Sequence, residues 1–263
     1  MSTGRRVAAH PLAAYMLHRY DWSESSLILD LFTRERGRVA VAAKGAKRPY
    51  SQLRPVLLPF QKMHVLLGRA GADEAADIVT LRSAEWAGGG PMLAGAALFA
   101  GFYLNELLLR LLARQDPHPA LFDAYEATLP ALAAAEDAGS QAALRAFELT
   151  LLRETGVLPE LGLVTQNAEP VDALSRYTLQ PEAGVVEQRA GEPGLSGSAL
   201  AHLQAALDHG SLPALQAACL PVLQPLRAPL RALLHYHLGT PLLRTRQVML
   251  DVQKLLDTKA HSA

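Results

Sequence analysis

Cysteine is almost absent from this chain: Cys219 is the only one in 263 residues. An internal disulfide and a multi-cysteine metal site are both excluded, and a reduced, buried thiol in the cytoplasm is the expected state. Charge is scarce too, at 19% of residues against the ~25% usual in soluble domains. Half the residues are hydrophobic, which excludes disorder over most of the length. The strongest apolar run, Met92 to Leu104, is followed at once by Asn105, Glu106 and Arg110. It falls short of the ~20 residues of a membrane span and reads as a buried helix. The N-terminus carries an Arg5-Arg6 pair, but His10 and Pro11 break its apolar part, so no export signal is expected. Catalytic signatures are missing as well. There is no Walker A loop, no G-x-S-x-G elbow, no H-E-x-x-H and no cluster of paired carboxylates, and neither an enzyme nor a cofactor nor a bound metal is expected.

What is present is an uneven charge distribution. Net charge is formally zero, yet residues 1–82 hold 13 Lys and Arg against 7 Asp and Glu, and the remainder holds 12 against 18. A cationic N-terminal part on a mildly acidic body points to a polyanionic partner for the former.

From Ala13 to Glu85 the pattern is strand and turn. Ser26–Thr33 alternates, with Leu27, Leu29 and Leu31 on one face and Ser26, Ile28 and Asp30 on the other. Arg34-Glu35-Arg36-Gly37 is a hairpin connection, Gly37 being free to take positive φ. Arg38–Lys44 resumes the alternation, and Gln61–Leu67 and Asp77–Arg82 supply further strands. Short strands with a basic loop near the middle predict a five-stranded OB-fold β-barrel. After Gly88-Gly89-Gly90-Pro91 the period turns helical. Helices are predicted over Met92–Arg114, Ala120–Ala135, Gln141–Thr155 (capped by Ser140 and stopped by Gly156), Ser198–His209, Ser211–Ala218, Pro225–Leu238 and Arg244–Leu256. The expected class is α+β: an OB barrel at 1–85, then a helical bundle at 86–263. A small irregular insert at about 157–195 holds a hairpin of Arg176–Leu179 and Val185–Gln188.

The run WSESSLILDLFTRERGRVAVAAKGAKR, Trp22 to Arg48, resembles the RecO family of recombination mediators. Four later segments resemble it in the same order: Thr80–Glu85, Tyr103–Leu108, Leu144–Leu149, and Leu238-Gly239 through Leu243–Arg246. The resemblance implies an OB-fold followed by a helical bundle, and binding of single- and double-stranded DNA with annealing of complementary strands. It also implies contacts to the C-terminal tail of the single-stranded-DNA-binding protein SSB and to RecR, with which RecA is loaded at gaps. Many members carry a four-cysteine zinc site after the third helix. Here that stretch, from Leu163 to Asp172 and onward, holds no cysteine, so no zinc is carried over.

Lys44, Lys47, Arg48 and Arg54 fall within eleven residues, and Arg34, Arg36 and Arg38 are read as extending the patch through the hairpin. Phosphates need several spaced cations, and Tyr50 is the ring placed to stack on a base. The plainer reading is a solvated turn. Trp22 is expected to plug the barrel end, with base stacking as the other reading. Arg145 borders an apolar stripe of Leu144, Phe147 and Leu151. It reads either as an i,i+3 pair with Glu148 or, as the resemblance implies, as the grip on the acidic SSB tail beside Leu144 and Phe147. Arg227, Arg231, Arg244 and Arg246 form a second basic group that either extends the DNA path or sits at helix ends. His235 and His237 point about 200° apart on a helix and cannot easily share a metal. The expected protein is a cytoplasmic monomer that touches no membrane. An RNA-binding OB adapter and, more remotely, a metal hydrolase using His235 and His237 are the alternatives.

Overall fold

The computed structural model describes residues 10–68, 78–134, 137–189, 194–239, 243–245, 247–249 and 251. These form two compact units, one comprising residues 1–92 with 112–122 and the other 93–111 with 123–263.

The first unit is a closed barrel of β1 (Leu12–Asp21), β2 (Leu27–Thr33), β3 (Gly37–Ala43), β4 (Met63–Leu67) and β5 (Ile78–Trp86), in the order β1-β2-β3-β5-β4. All pairings are antiparallel except β3 with β5. The alternation of β2 turns Leu27, Leu29 and Leu31 inward to meet Val39, Val41 and Ala43 of β3, together with Met63, Val65 and Leu81. Each fully buried side chain of this kind contributes roughly 1.5–3 kcal/mol. Gly37 closes the β2–β3 hairpin at φ 62°. The hydroxyl of Thr33 donates to the Gly37 carbonyl at 2.9 Å and accepts from Arg36 N–H at 3.1 Å. On the outer face, Phe122 packs on Tyr15 and Phe32 with ring centroids 5.4 and 5.3 Å apart.

Two expectations for this unit are corrected. Trp22 is 56% exposed and plugs nothing. Ala46 and Leu57, with Leu53 and Val56 beside them, pack on the barrel core from the 44–57 loop instead. The first predicted helix is also shorter than its apolar pattern. Arg114 and Gln115 leave it to lie along β3, where Gln115 N–H donates to the Arg38 carbonyl at 2.9 Å. The physical reason lies in the ladder: among the described residues β5 pairs with β3 from Ala40 onward, and the Arg114–Gln115 segment satisfies the Arg38 carbonyl.

The second unit contains α1 (Gly95–Leu111), α2 (Pro119–Ala134, whose first residues count with the barrel), α3 (Asp137–Glu154), the strands β6 (Arg176–Gln180), β7 (Gly184–Glu187) and β8 (Leu195–Ser196), then α4 (Gly197–His209), α5 (Leu212–Cys219) and α6 (Leu223–Leu238). Ser140 does not cap α3; it lies one turn inside a helix that begins at Asp137. Gly156 does end it, at φ 72°. Ser196 and Ser211 cap α4 and α5, each accepting a backbone N–H three residues on. Pro225 sits in the first turn of α6, where a missing N–H costs nothing. The predicted hairpin is present as β6 and β7, and β8 adds a third strand on the other edge of β6. The predicted helix at Arg244–Leu256 falls mostly outside the described residues. No helix among the described residues is long and apolar enough to cross a membrane.

Candidate nucleic-acid interface

The barrel end reached by the 44–54 loop is built from turns. Ala46 N–H bonds to Ala43 O, Arg48 to Gly45 O, Ser51 to Arg48 O and Arg54 to Ser51 O, at 3.1 to 3.4 Å. Gly45 makes the first bend at φ 74°. The segment is thus a string of tight turns, which lowers the conformational entropy lost when a ligand binds. Lys47 ties it to the β1–β2 connection: its ammonium lies 3.0 Å from Asp21 Oδ1 and donates to the Ser23 carbonyl at 3.1 Å. Lys44, Arg48 and Arg54 are exposed, and Tyr50 is 94% exposed. Tyr20 and Trp22 add exposed ring surface at the same end of β1. Burial and the neighbouring Asp30 carboxylate hold the Tyr20 hydroxyl above its usual pKa. A row of cations with rings among them is the chemistry of a single-strand groove.

The hairpin arginines do not extend this row. Arg34, Arg36 and Arg38 lie at the opposite end of β3 from Lys44, about 20 Å away at ~3.3 Å per strand residue. Arg34 and Arg36 are exposed. Arg38 is mostly buried, with Nε 3.9 Å from the buried Asp30 Oδ1. Arg114 joins this group from 76 positions away in sequence and lines a small cleft with Arg36, Arg38 and Gln115. Nothing in the sequence signalled it, because Arg114 fits the end of a helical pattern.

In the helical unit, α1, α3 and α6 surround a cavity of about 680 Å³. Phe99, Leu144, Leu234 and Leu243 contribute apolar wall, and Arg145, Arg227 and Arg231 contribute charge. Arg145 pairs with Glu148, one turn on along α3, and Tyr103 OH donates to the other Glu148 oxygen at 2.6 Å. Burial pushes the Glu148 carboxyl up while Arg145 pulls it down, and the net direction is upward. Burial and Glu148 together raise the Tyr103 hydroxyl well above its usual value. The i,i+3 pair expected from sequence is therefore present, but it is buried rather than a surface pair. Phe147 is corrected outright. It is 0% exposed and packs edge-on to Tyr125 at 6.1 Å, so it belongs to the core and cannot receive a ligand side chain. The second basic group divides. Arg227 and Arg231, one turn apart on α6, both reach the cavity. Arg244 is exposed at the start of the terminal segment, and Arg246 lies outside the described residues.

Glu106 anchors that segment. Its carboxylate accepts Arg244 N–H and Thr245 N–H at 2.9 Å and the Thr245 hydroxyl at 2.6 Å, and pairs with Arg110 at 2.9 Å. Burial pushes its pKa up, but these bonds outweigh it and hold the group below its usual value.

The residues do not fit a thiolate-bound zinc. From Val164 to Val185 hydrogen bonds do the joining: Val164 N–H to Glu169 O, Thr165 N–H to Val185 O, and Val185 N–H back to the Thr165 hydroxyl, at 2.8 to 2.9 Å. Cys219, on α5, is pushed up to about 12 by burial first and Glu148 second. Among the described residues no group of three His, Cys, Asp or Glu side chains could hold a metal ion. His235 faces the cavity, and Tyr236 and His237 stack edge-on beside it.

Two family models match the chain in tandem. That for the N-terminal part of recombination protein O covers residues 10–89, and that for its C-terminal part covers 92–246. Among curated relatives, a DNA repair protein RecO from a Polaromonas species is 51% identical over 255 residues, spanning 95% of this chain and 99% of the relative. The RecO proteins of Verminephrobacter eiseniae and Variovorax paradoxus are 51% and 52% identical, each over 97% of this chain and the whole of the relative.

Proposed function

Since the chain belongs to the RecO family of DNA repair proteins, we propose that it is a non-enzymatic recombination mediator. It binds single- and double-stranded DNA, anneals complementary strands coated with SSB and, with RecR, assists RecA loading at gaps. The observation that carries the DNA-binding part is the loop end of the barrel, where Lys44, Arg48 and Arg54 stand exposed around a Tyr50 that is 94% exposed. Lys47 sets the loop through Asp21 and adds its remaining charge. The cations neutralise phosphate and release counterions, and the ring accepts any base by stacking, worth roughly 1–3 kcal/mol per base. The mechanism is physical: lowering the repulsion between two polyanions brings complements together. Residues 1–85 carry this role, and residues 86–263 carry recruitment.

Recruitment is assigned to the helical cavity. Its apolar wall and the converging Arg145, Arg227 and Arg231 suit an acidic peptide ending in a large apolar residue, the SSB tail. Leu144 lines this site and Phe147 supports it from the core. Arg244 remains a candidate for duplex contact. The protein acts in the cytoplasm as a monomer and uses no cofactor.

The test is annealing of complementary oligonucleotides coated with cognate SSB, run beside SSB lacking its acidic tail. Acceleration only with the intact tail supports both parts. Acceleration with either form keeps DNA pairing and removes the tail from the cavity. No acceleration on coated or naked strands sinks the mediator reading, and tighter binding to ribose than deoxyribose strands would turn it toward an RNA adapter.

A further inference from the structure

We propose that the barrel carries a second, separate phosphate site at the hairpin end of β3, built from Arg34, Arg36, Arg38 and Arg114, which holds the backbone of a second nucleic-acid strand while the loop end holds the first. The inference rests on the DNA-binding reading above and adds to it a division of labour between the two ends.

Separation is the first argument. Along β3, Gly37–Ala43, Arg38 of the hairpin group and Lys44 of the loop group are separated by about 20 Å. On the outer face between them lies Asp30, whose side chain is 5% exposed and 3.9 Å from Arg38.

Chemistry is the second. The loop end offers the exposed rings of Trp22 and Tyr50 beside its cations, whereas Tyr20 reaches back along the barrel to bond Asp30 and lies within range of the Arg38 and Arg114 charges. Next to the hairpin, the rings of Tyr15, Phe32 and Phe122 are buried against one another. The hairpin group therefore has a single half-exposed ring, Tyr20, at its inner edge, and its arginines grip phosphates in a way that leaves most bases of a strand held there free to pair.

Construction is the third. Arg114 is not a loose surface charge. Its neighbour Gln115 donates into the β3 ladder at Arg38, and the Asp116 carbonyl sits so close over Gly37 that a Cβ there would lie 1.8 Å from it. Nearby carboxylates are accounted for. Asp30 faces Arg38, Asp116 lies 3.4 Å from His118 Nε2, and Glu35 points out of the turn, exposed. Arg36 and Arg114 form no ion pair with a described carboxylate, and guanidinium groups match phosphate geometry well.

The experiment uses the full chain and two double variants of exposed residues, R36A/R114A and K44A/R48A. Affinity for a labelled oligo-dT, which cannot pair with itself, is measured beside the annealing rate of two naked complementary oligonucleotides. R36A/R114A is expected to leave oligo-dT affinity within about twofold while slowing annealing about fivefold or more; K44A/R48A is expected to weaken both, with a salt slope smaller by ~0.7 per lost single-strand contact. Equal losses of oligo-dT affinity in the two variants would show one continuous path and overturn the second site. No change in either readout for R36A/R114A would overturn it as well. An annealing defect in R36A/R114A with K44A/R48A unaffected would keep the hairpin site and remove the loop from the proposed function.

Discussion

Arginine is put to opposite uses in the two units. On the barrel, Arg36, Arg48 and Arg54 stand exposed on turns, where water screens them and a mobile polyanion can displace their counterions. In the helical unit, Arg145 is held against a fully buried glutamate whose other oxygen is occupied by Tyr103. The first arrangement contributes almost nothing to stability and supplies affinity that salt erodes. The second is bound up with the core itself, because removing one partner strands a buried charge. The difference lies in the surroundings, since the side chain is the same.

The strongest way to break this contrast is Arg145→Ala. It leaves Glu148 buried with Tyr103 and the charge of Arg231 as its remaining support, and about 3 kcal/mol of unfolding free energy should be lost, less where the carboxyl protonates. Urea denaturation measures this, and a change under 0.5 kcal/mol would mean that the pair is no more than a surface ion pair. Gly37→Ala comes next. It places a Cβ 1.8 Å from the Asp116 carbonyl oxygen at a φ of 62°, so either the hairpin or the 114–116 segment must shift. A loss of about 1–3 kcal/mol is expected, together with slower annealing; an unchanged melting temperature would show that Arg114 is not held where the hairpin needs it.

The triple variant Lys44→Ala, Lys47→Ala, Arg48→Ala sharpens the contrast from the other side. DNA affinity should drop clearly and the salt slope should fall by about 2, at ~0.7 per single-strand contact, while stability changes by less than about 1 kcal/mol. A stability loss larger than the affinity loss would reverse the assignment. The smallest effect concerns Glu106. Its carboxyl is held below the ordinary value of 4.5, so its contribution to stability is fully present above pH 4.5 and is lost as pH falls through the lower folded value. Comparing wild type with Glu106→Gln across that window should show the two stability curves converging toward acid; parallel curves would show that the carboxylate charge contributes nothing.

The barrel strands were legible in the sequence because period-two alternation in β2 and β3 has a direct physical meaning: one face must be buried. The Thr33–Gly37 hairpin was legible for a similar reason, a glycine where φ must be positive. Helix ends were less so. Ser140 has the chemistry of a cap, yet α3 already runs from Asp137, an acidic residue in its first turn that complements the helix dipole. Phe147 and Leu144 share an apolar stripe, and periodicity alone does not tell which member faces the core and which faces a cavity.

The sequence by itself determined the fold class, the excess of positive charge on the barrel, and the absence of the thiols a zinc site would need. These follow from composition and from short-range pattern, which every conformation of the chain carries. The tertiary structure decided the rest. It set the hairpin arginines at the far end of β3 from the loop, brought Arg114 to them across 76 residues, turned Arg227 and Arg231 toward Arg145, and buried Glu148. Each of these depends on which distant segments meet, and that is chosen by the packing of the whole core rather than by any local run of residues.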